Sequence, residues 1–501
     1  MSQTSNQHPF LKFPMDEKVL DEVAKNERDF LLLHGGGLRL RESTSDDELR
    51  FAPFFLFPSL FPERGFRTAL LAQTVMNKLT FCVAYDRQFL TSCLKSTILV
   101  DDFTARLFDI YQKVMDEGLC QPVSLGLLRV DYFACDLRGT IAQVEANVIA
   151  SGWSAMSQVT SDMHRYGLTV LGHLDKTDQI PANTSLEGIA TGMIHAWDKY
   201  NVAGAVILFV VEDRTINICD QRFHEFQVYR QRPGIRVIRR SFAQLLSQAS
   251  LGESRALIVD GHEVAVVYYR VGYSPDHYPS EREWQLRLLI ERSRAIKSPS
   301  IQLHLAGTKK VQQELCRPGV LERYLRDQEV TLCRSLFVGL YSLDMDEDGD
   351  AAVEMALAAP HRYVLKPQRE GGGNNIYGEE IAHTLARLRD SAERTAFILM
   401  ELIEPHVQPN YLLRPGHGSP ELVQAVGELG IFGYILGDGE QTYCNECCGF
   451  TLRSKPSSVQ EGGIIAGFGA MDSPFLVYWD EDGSGAASSG DGDQRGNTQL
   501  S

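Results

Sequence analysis

Apolar positions along this chain follow two rhythms. From 205 to 211 every residue is apolar, a run too short for a typical helix, which predicts a strand buried on both faces. Residues 220–231 instead carry Phe223 and Phe226 at helical spacing, and 235–238 reads as a second strand. Within 256–269, Asp260-Gly261 separates two β-rich runs, the pattern of a tight hairpin. Residues 281–295 predict a helix with Trp284, Leu288 and Arg292 on one face. Nearer the start, Leu20, Val23 and Ala24 have helical spacing before a turn at Gly35, Gly36 and Gly37. The stretch 66–108 reads as mostly helical, and 123–128 and 140–149 read as strands. Residues 51–62 are apolar but broken by Pro53, Pro58 and Pro62, so they predict a buried irregular segment rather than a helix. The alternation points to an α/β fold with α+β character, in which 205–308 forms a small parallel or mixed sheet inserted between two halves of a larger domain. The Gly-, Ser- and Asp-rich stretch 480–501 predicts a disordered tail.

Composition narrows the class. The 501 residues are 44% hydrophobic and 23% charged, as in ordinary globular proteins. Lys plus Arg number 49 against 65 Asp plus Glu, a formal charge of −16, which argues against non-specific binding to nucleic acid or anionic membrane. An anionic chain that grips a polyphosphate must concentrate cations locally. Residues 1–17 are polar and broken by Pro9 and Pro14, unlike a signal peptide, and runs such as 203–211 are too short to span a bilayer. The ten cysteines are scattered, with one cluster at Cys444, Cys447 and Cys448, and are expected as reduced thiols in the cytoplasm.

Chemistry concentrates in RYVLKPQREGGGNNIY at 362–377. Tyr363, Val364 and Leu365 deliver Lys366 to a loop holding Gly371, Gly372 and Gly373. Backbone N–H groups of such a loop can surround phosphate oxygens while a lysine adds compact charge. Glu370 is placed to hold Mg²⁺, which prefers oxygen ligands, and Asn375 and Tyr377 follow. At 144–147, VEAN sets Glu145 and Asn147 two apart on a strand, hence on one face, as a possible half-site for Mg²⁺; the alternative is a solvated sheet face. Arg129, Arg270 and Arg453 each follow a strand-like run, and planar guanidinium forks on one pocket would suit a substrate with several carboxylates. Two patterns are decoys. Asp344, Asp346, Asp348 and Gly349 begin like a calcium loop, but its twelfth position is Met355 rather than Glu, and the Cys444/Cys447/Cys448 cluster lacks a second ligand pair. Both are expected to be metal-free.

Taken together these segments resemble the eukaryotic glutathione synthetase family of ATP-grasp ligases. The resemblance rests on STILVDDFTARLFDIY at 96–111, VEAN at 144–147, INICDQR at 216–222, VVYYRVGY at 266–273, LAGTKKVQQEL at 305–315, VLKPQREGGGNNIYGEE at 364–380, ILMELIEP at 398–405, GELGIFG at 427–433 and LRSK at 452–455. It implies an ATP-grasp fold with an inserted small α/β substrate-binding domain and a lid. The core would comprise 1–204 and 309–479, the insert 205–308, the lid roughly 337–425, and a substrate loop 456–467. It also implies a homodimer that joins γ-glutamylcysteine to glycine with ATP and Mg²⁺, through an acyl phosphate. Glu145, Asn147 and Glu370 would hold the metal. Glu145, Lys309, Lys366, Glu370, Gly371, Gly372, Gly373, Asn374, Asn375, Tyr377, Met400, Glu401, Leu402, Ile403, Glu428, Lys455 and Glu461 would bind ATP. Arg129, Ile149, Ala150, Ser151, Gly152, Thr215, Ile216, Asn217, Gln221, Arg270, Val271, Gly272, Tyr273, Arg453, Ile464 and Ile465 would bind dipeptide and product, with Arg453, Lys366 and Gly372 catalytic. Departures from the family pattern fall at Ala150 and Gly152 (hydroxyls lost), Val271, Leu402 and Glu461. They leave open a related ligase with another amine acceptor, or a weakly catalytic nucleotide-binding paralogue.

Overall fold

The computed structural model describes residues 8–370 and 372–478. The expected tail at 480–501 and Gly371 lie outside the described residues.

Ser124–Ala134 is the spine of the fold, with all but one of its residues buried. It pairs antiparallel with Glu421–Gly437 and with Ile141–Asn147, and parallel with Ile296–Ser298, inside a 13-stranded mixed sheet. Parallel strands covered on both faces explain the unbroken apolar run of Val206–Val211, which pairs with Val237–Ser241 and His262–Tyr269. The turn after Leu257–Val259 carries Asp260 at φ +51° and Gly261 at φ +75°, two successive left-handed residues that suit the twist of the flanking strands. The strands of 205–308, expected as an inserted sheet, continue the large sheet. Lys297 pairs with Ser124, which fuses them to the large sheet.

A second sheet of four strands, in the order Leu340–Ser342, Phe397–Glu401, Tyr363–Pro367 and Ile376–Tyr377, is backed by the helices Glu347–Ala358 and Glu379–Leu388. The stretch expected as a lid is therefore shorter at its far end, because Gln408–Leu413 pairs within the large sheet. Two other expectations also shift. The helix at 281–295 ends at Glu291, leaving Arg292 as its cap, where it pairs with Glu117. The proline-broken stretch 51–62 contains the short strands Phe54–Phe55, which lies between Gln408–Leu413 and Ala470–Asp472 in the large sheet, and Ser59–Pro62, which pairs with Pro474–Val477. The prolines fit because Pro53 and Pro58 fall outside these strands and Pro62 ends a strand paired on one side only. Among the described residues, no helix is long and apolar enough to cross a membrane.

Candidate active site

A cavity of about 690 Å³ opens between the large sheet and the small one. Its floor comes from Ile141–Asn147 and the paired strands Glu421–Gly437 and Thr442–Pro456. Glu428 and Arg453 face each other across that pairing. Its roof is the small sheet, which presents Lys366 and the loop after it. One end is closed by the loop between Pro456 and Ala470.

Both halves of the expected metal site line this cavity. Lys309, at the start of the helix Lys309–Leu315, sits between them, its Nζ 3.1 Å from Glu145 Oε2 and 2.9 Å from Glu370 Oε1. Burial alone would raise the Glu145 carboxyl, but Lys309 and Lys366 together hold it well below the ordinary range. Burial pushes Glu370 up, and Lys309 offsets this only in part. Burial also pulls Lys366 below the usual lysine value despite Glu145, and its Nζ donates to the Val144 carbonyl at 3.0 Å. Two carboxylates already sharing one cation, beside an amide oxygen, are a donor set that suits a hard divalent ion. Asn147 Nδ2 donates to Asp131 Oδ2 at 3.0 Å and to the Arg129 carbonyl at 3.2 Å. Both partners are acceptors, so the amide must turn its nitrogen to them and its oxygen away. The acidic stretch from Asp344 forms no such site. Asp344 pairs with Lys310, and Asp346 caps the helix Glu347–Ala358. Among the described residues no group of three or more His, Cys, Asp and Glu is arranged to hold a metal, the Cys444/Cys447/Cys448 cluster included.

The three arginines converge from three strands. Arg129 lies mid-strand rather than at a strand end, with its fork on Asp131 at 2.7 and 2.8 Å. Arg270 follows His262–Tyr269 directly and lies 3.5 Å from Asp220. Arg453 pairs with Glu428 and, at 2.9 Å, with Asp131. Burial opposes its charge, but Glu428 and Asp131 raise it further above the ordinary arginine value. The Nε atoms of Arg270 and Arg453 are buried without a partner among the described residues.

Of the other expected residues, Ile149, Ala150, Gly152, Ile216, Asn217, Tyr273, Gly372, Asn374, Asn375, Tyr377, Met400, Glu401, Leu402, Ile403, Lys455, Glu461, Ile464 and Ile465 line the cavity. Ser151, Thr215, Gln221, Val271, Gly272 and Gly373 do not. Ser151 turns its hydroxyl to the Leu127 carbonyl, Val271 is buried in the core, and Gln221 donates to Glu212 and Asn217 behind the wall. Gly272, at φ +96°, shapes the turn that presents Tyr273. Gly373 lies at the rim, where its N–H donates to Glu461 Oε2 at 3.0 Å and ties the glycine loop to the closing loop. The structure adds Arg41, Trp153, Glu212, Arg214 and Arg369 to the lining. Arg41 donates to the Ile465 carbonyl at 2.9 Å, and Arg414 donates to the carbonyls of Gly467 and Phe468. Nothing in the spacing of Arg41 or Arg214 marks them in the sequence; Asp131, two residues after Arg129 on one strand, could have been found by that spacing.

A family model described as eukaryotic glutathione synthase, ATP binding domain, matches residues 17–476. The chain belongs to the eukaryotic glutathione synthase family. Glutathione synthetase of Mus musculus is 45% identical over 468 residues, covering 92% of this chain and 98% of the relative, and that of Homo sapiens is 44% identical over the same span. The chloroplastic glutathione synthetase of Arabidopsis thaliana is 40% identical, covering 86% of this chain and 79% of its own. Among solved structures, a glutathione synthetase-like effector of Globodera pallida in the apo form superposes with a TM-score of 0.74 at 25% identity, covering 92% of this chain and 98% of that one. As a glutathione synthase-family chain, the protein is an ATP-using ligase with an ATP-grasp fold, which accounts for a nucleotide-sized cleft between two sheets.

Proposed function

We propose that this chain is a glutathione synthetase, ligating γ-L-glutamyl-L-cysteine to glycine at the expense of ATP. The observation that carries the reading is the convergence of Arg129, Arg270 and Arg453 on the same cavity as the Lys309–Glu145–Glu370 cluster. Three guanidinium groups match a substrate with more than one carboxylate, and the lysines with paired carboxylates match a metal–polyphosphate. Lys309, Lys366 and Lys455 would neutralise phosphate oxygens, while Arg453 and Arg129 hold the dipeptide so that its cysteinyl carboxylate oxygen faces the γ-phosphorus. That oxygen forms the new P–O bond, and ADP leaves. The glycine amine then attacks the acyl carbon, loses a proton, and inorganic phosphate departs with the C–O electron pair. Catalysis of this kind is mainly positioning and charge neutralisation. Mg²⁺, held by Glu145, Asn147 and Glu370, would supply Lewis-acid neutralisation of the phosphate charge when bound.

Copies are proposed to pair as homodimers. Leu32, Leu33, Tyr166, Val170, Phe226 and Tyr229 are exposed apolar side chains on helices that pack side by side, the kind of face an interface covers. Ten unpaired cysteines support a reducing, cytoplasmic setting. We also propose that the small-sheet part of the expected 337–425 lid, from 340 to 401, and the loop 456–467 move over the bound substrates. The test is ADP release and mass-spectrometric product identification with ATP, Mg²⁺, γ-glutamylcysteine and a panel of amine acceptors. Glutathione and ADP are expected with glycine. Product with β-alanine or serine alone would replace glycine as the acceptor, and no ADP with any acceptor would refute the ligase.

A further inference from the structure

Asp131 is a fully buried carboxylate that does not line the cavity, yet it touches three residues that do. Its Oδ1 accepts from Arg129 Nε at 2.7 Å. Its Oδ2 accepts from Arg129 Nη2 at 2.8 Å, from Arg453 Nη2 at 2.9 Å and from Asn147 Nδ2 at 3.0 Å. Strand register builds this hub. Asp131 and Arg129 share one face of Ser124–Ala134, opposite Glu145 and Asn147 on one neighbouring strand. On the other neighbour Asp131 faces Gly430, where a Cβ would lie 2.7 Å from Asp131 Oδ1 and 2.8 Å from Arg129 Cδ. The glycine leaves the room that the hub occupies.

We propose that Asp131 is the positioning residue that aligns the dipeptide-binding forks of Arg129 and Arg453 and, through the same oxygen, turns the Asn147 amide so that its oxygen faces the metal site. The inference rests on the ligase reading for the roles of the arginines and of Asn147. One carboxylate oxygen serves both groups, so displacing it disturbs the arginine forks and the amide together. A neutral amide in place of Asp131 presents an N–H₂ to donors, or a single oxygen to three of them. It also leaves the buried Arg129 and the partly buried Arg453 guanidinium groups with less counter-charge. The Asn147 amide then keeps only its bond to the Arg129 carbonyl at 3.2 Å and flips more readily, presenting nitrogen where a hard cation needs oxygen. Partners that orient a metal ligand in this way commonly govern affinity by about 10–100-fold.

The test compares wild type with Asp131→Asn by calorimetric titration of a non-hydrolysable ATP analogue, with and without Mg²⁺, and separately of γ-glutamylcysteine. The variant should need on the order of tenfold more Mg²⁺ to reach the same nucleotide affinity, while its metal-free nucleotide affinity stays unchanged, and it should bind dipeptide on the order of tenfold more weakly. A merely structural lesion would lower metal-free binding as well. Asn147→Ala should show the same Mg²⁺ requirement, and adding Asp131→Asn to it should raise that requirement no further. Should Asp131→Asn fail to fold, Gly430→Ala crowds the same hub with every charge retained, and a weaker shift of both readouts is expected. Unchanged Mg²⁺ dependence in the variants, or fully additive effects of Asp131→Asn and Asn147→Ala, would overturn the proposal. Wild type that binds Mg²⁺–nucleotide but releases no ADP would overturn the ligase reading and leave the Mg²⁺ result on Asp131 standing.

Discussion

Replacing Asp472 by asparagine should make the protein's stability less dependent on pH. Asp472 ends the strand that closes the 456–469 loop, and its carboxylate accepts from Ser59 Oγ at 2.6 Å, Ser454 Oγ at 2.5 Å, Ser473 N at 2.7 Å and Ser59 N at 3.3 Å. No cation is among these partners. Burial therefore outweighs the four donors and lifts its pKa from 3.8 to about 7. His164, linked through Ser473 at 2.6 Å, is pulled by burial to about 4 and stays neutral across this window. Between about pH 4 and 7 the folded chain keeps a proton at Asp472 that the unfolded chain gives up, so this group's contribution to stability falls as pH rises and levels off above 7. A pKa displaced by about 3 corresponds to ~4 kcal/mol at full ionisation. Asp472→Asn cannot ionise, and serine hydroxyls can rotate to accept from its N–H₂. Urea unfolding followed by tryptophan fluorescence, with both proteins at pH 5, 6, 7 and 8, should show the variant gaining on wild type by ~2–4 kcal/mol from the lowest to the highest pH. A difference between the two proteins that stays constant within ~0.5 kcal/mol over this range would refute the reasoning.

Three further outcomes are expected. Glu370→Ala should lose Mg²⁺-dependent turnover by ~100-fold or more while its circular dichroism stays that of the wild type, because the lost group is one of two carboxylates on Lys309; wild-type turnover in this variant would remove it from the metal site. Arg414→Ala releases the carbonyls of Gly467 and Phe468, so limited proteolysis should cut within 456–469 several-fold faster, with nucleotide slowing the cleavage; an unchanged cutting rate would deny the arginine its role as a latch. Glu27 is buried with neither oxygen partnered among the described residues, and burial holds it protonated well above the ordinary range. Its folded state therefore loses stability as pH rises. Glu27→Met should stabilise by ~1–3 kcal/mol at pH 8 and by less at pH 4, read from urea midpoints.

Much of the site was legible because its chemistry is local in the chain. Lys366 and Glu370 stand within five residues, and Glu145 and Asn147 are two apart on a strand, so period and spacing alone bring each pair together. Arg129, Arg270 and Arg453 were read as a set that would suit several carboxylates, but their meeting depends on a sheet that joins strands far apart in sequence. Lys309 between Glu145 and Glu370 is a tertiary fact of the same kind. Among fold elements, the unbroken apolar run of Val206–Val211 and the Asp260-Gly261 turn were readable from local pattern. The fusion of those strands to Ser124–Ala134 rests on a single pairing, Lys297 with Ser124, which no local pattern announces. Gly430 stood in a readable motif, but its purpose appears only once Asp131 is known to lie opposite it.

The strand Ala470–Asp472 pairs in parallel with the edge at Phe54, and Met471 N–H donates to the Pro53 carbonyl. Pro474–Val477 likewise closes on Ser59–Pro62. These partners are separated by roughly 400 residues, and ribosomes add ~5–20 residues each second, so the first edge waits ~20–80 s for its complement to be synthesised. For that interval an apolar border of the sheet stands open on the growing polypeptide. The nascent chain is therefore expected to need protection of that border during translation, and a chain stopped before Ala470 would lack the strands that close on Phe54 and Ser59–Pro62.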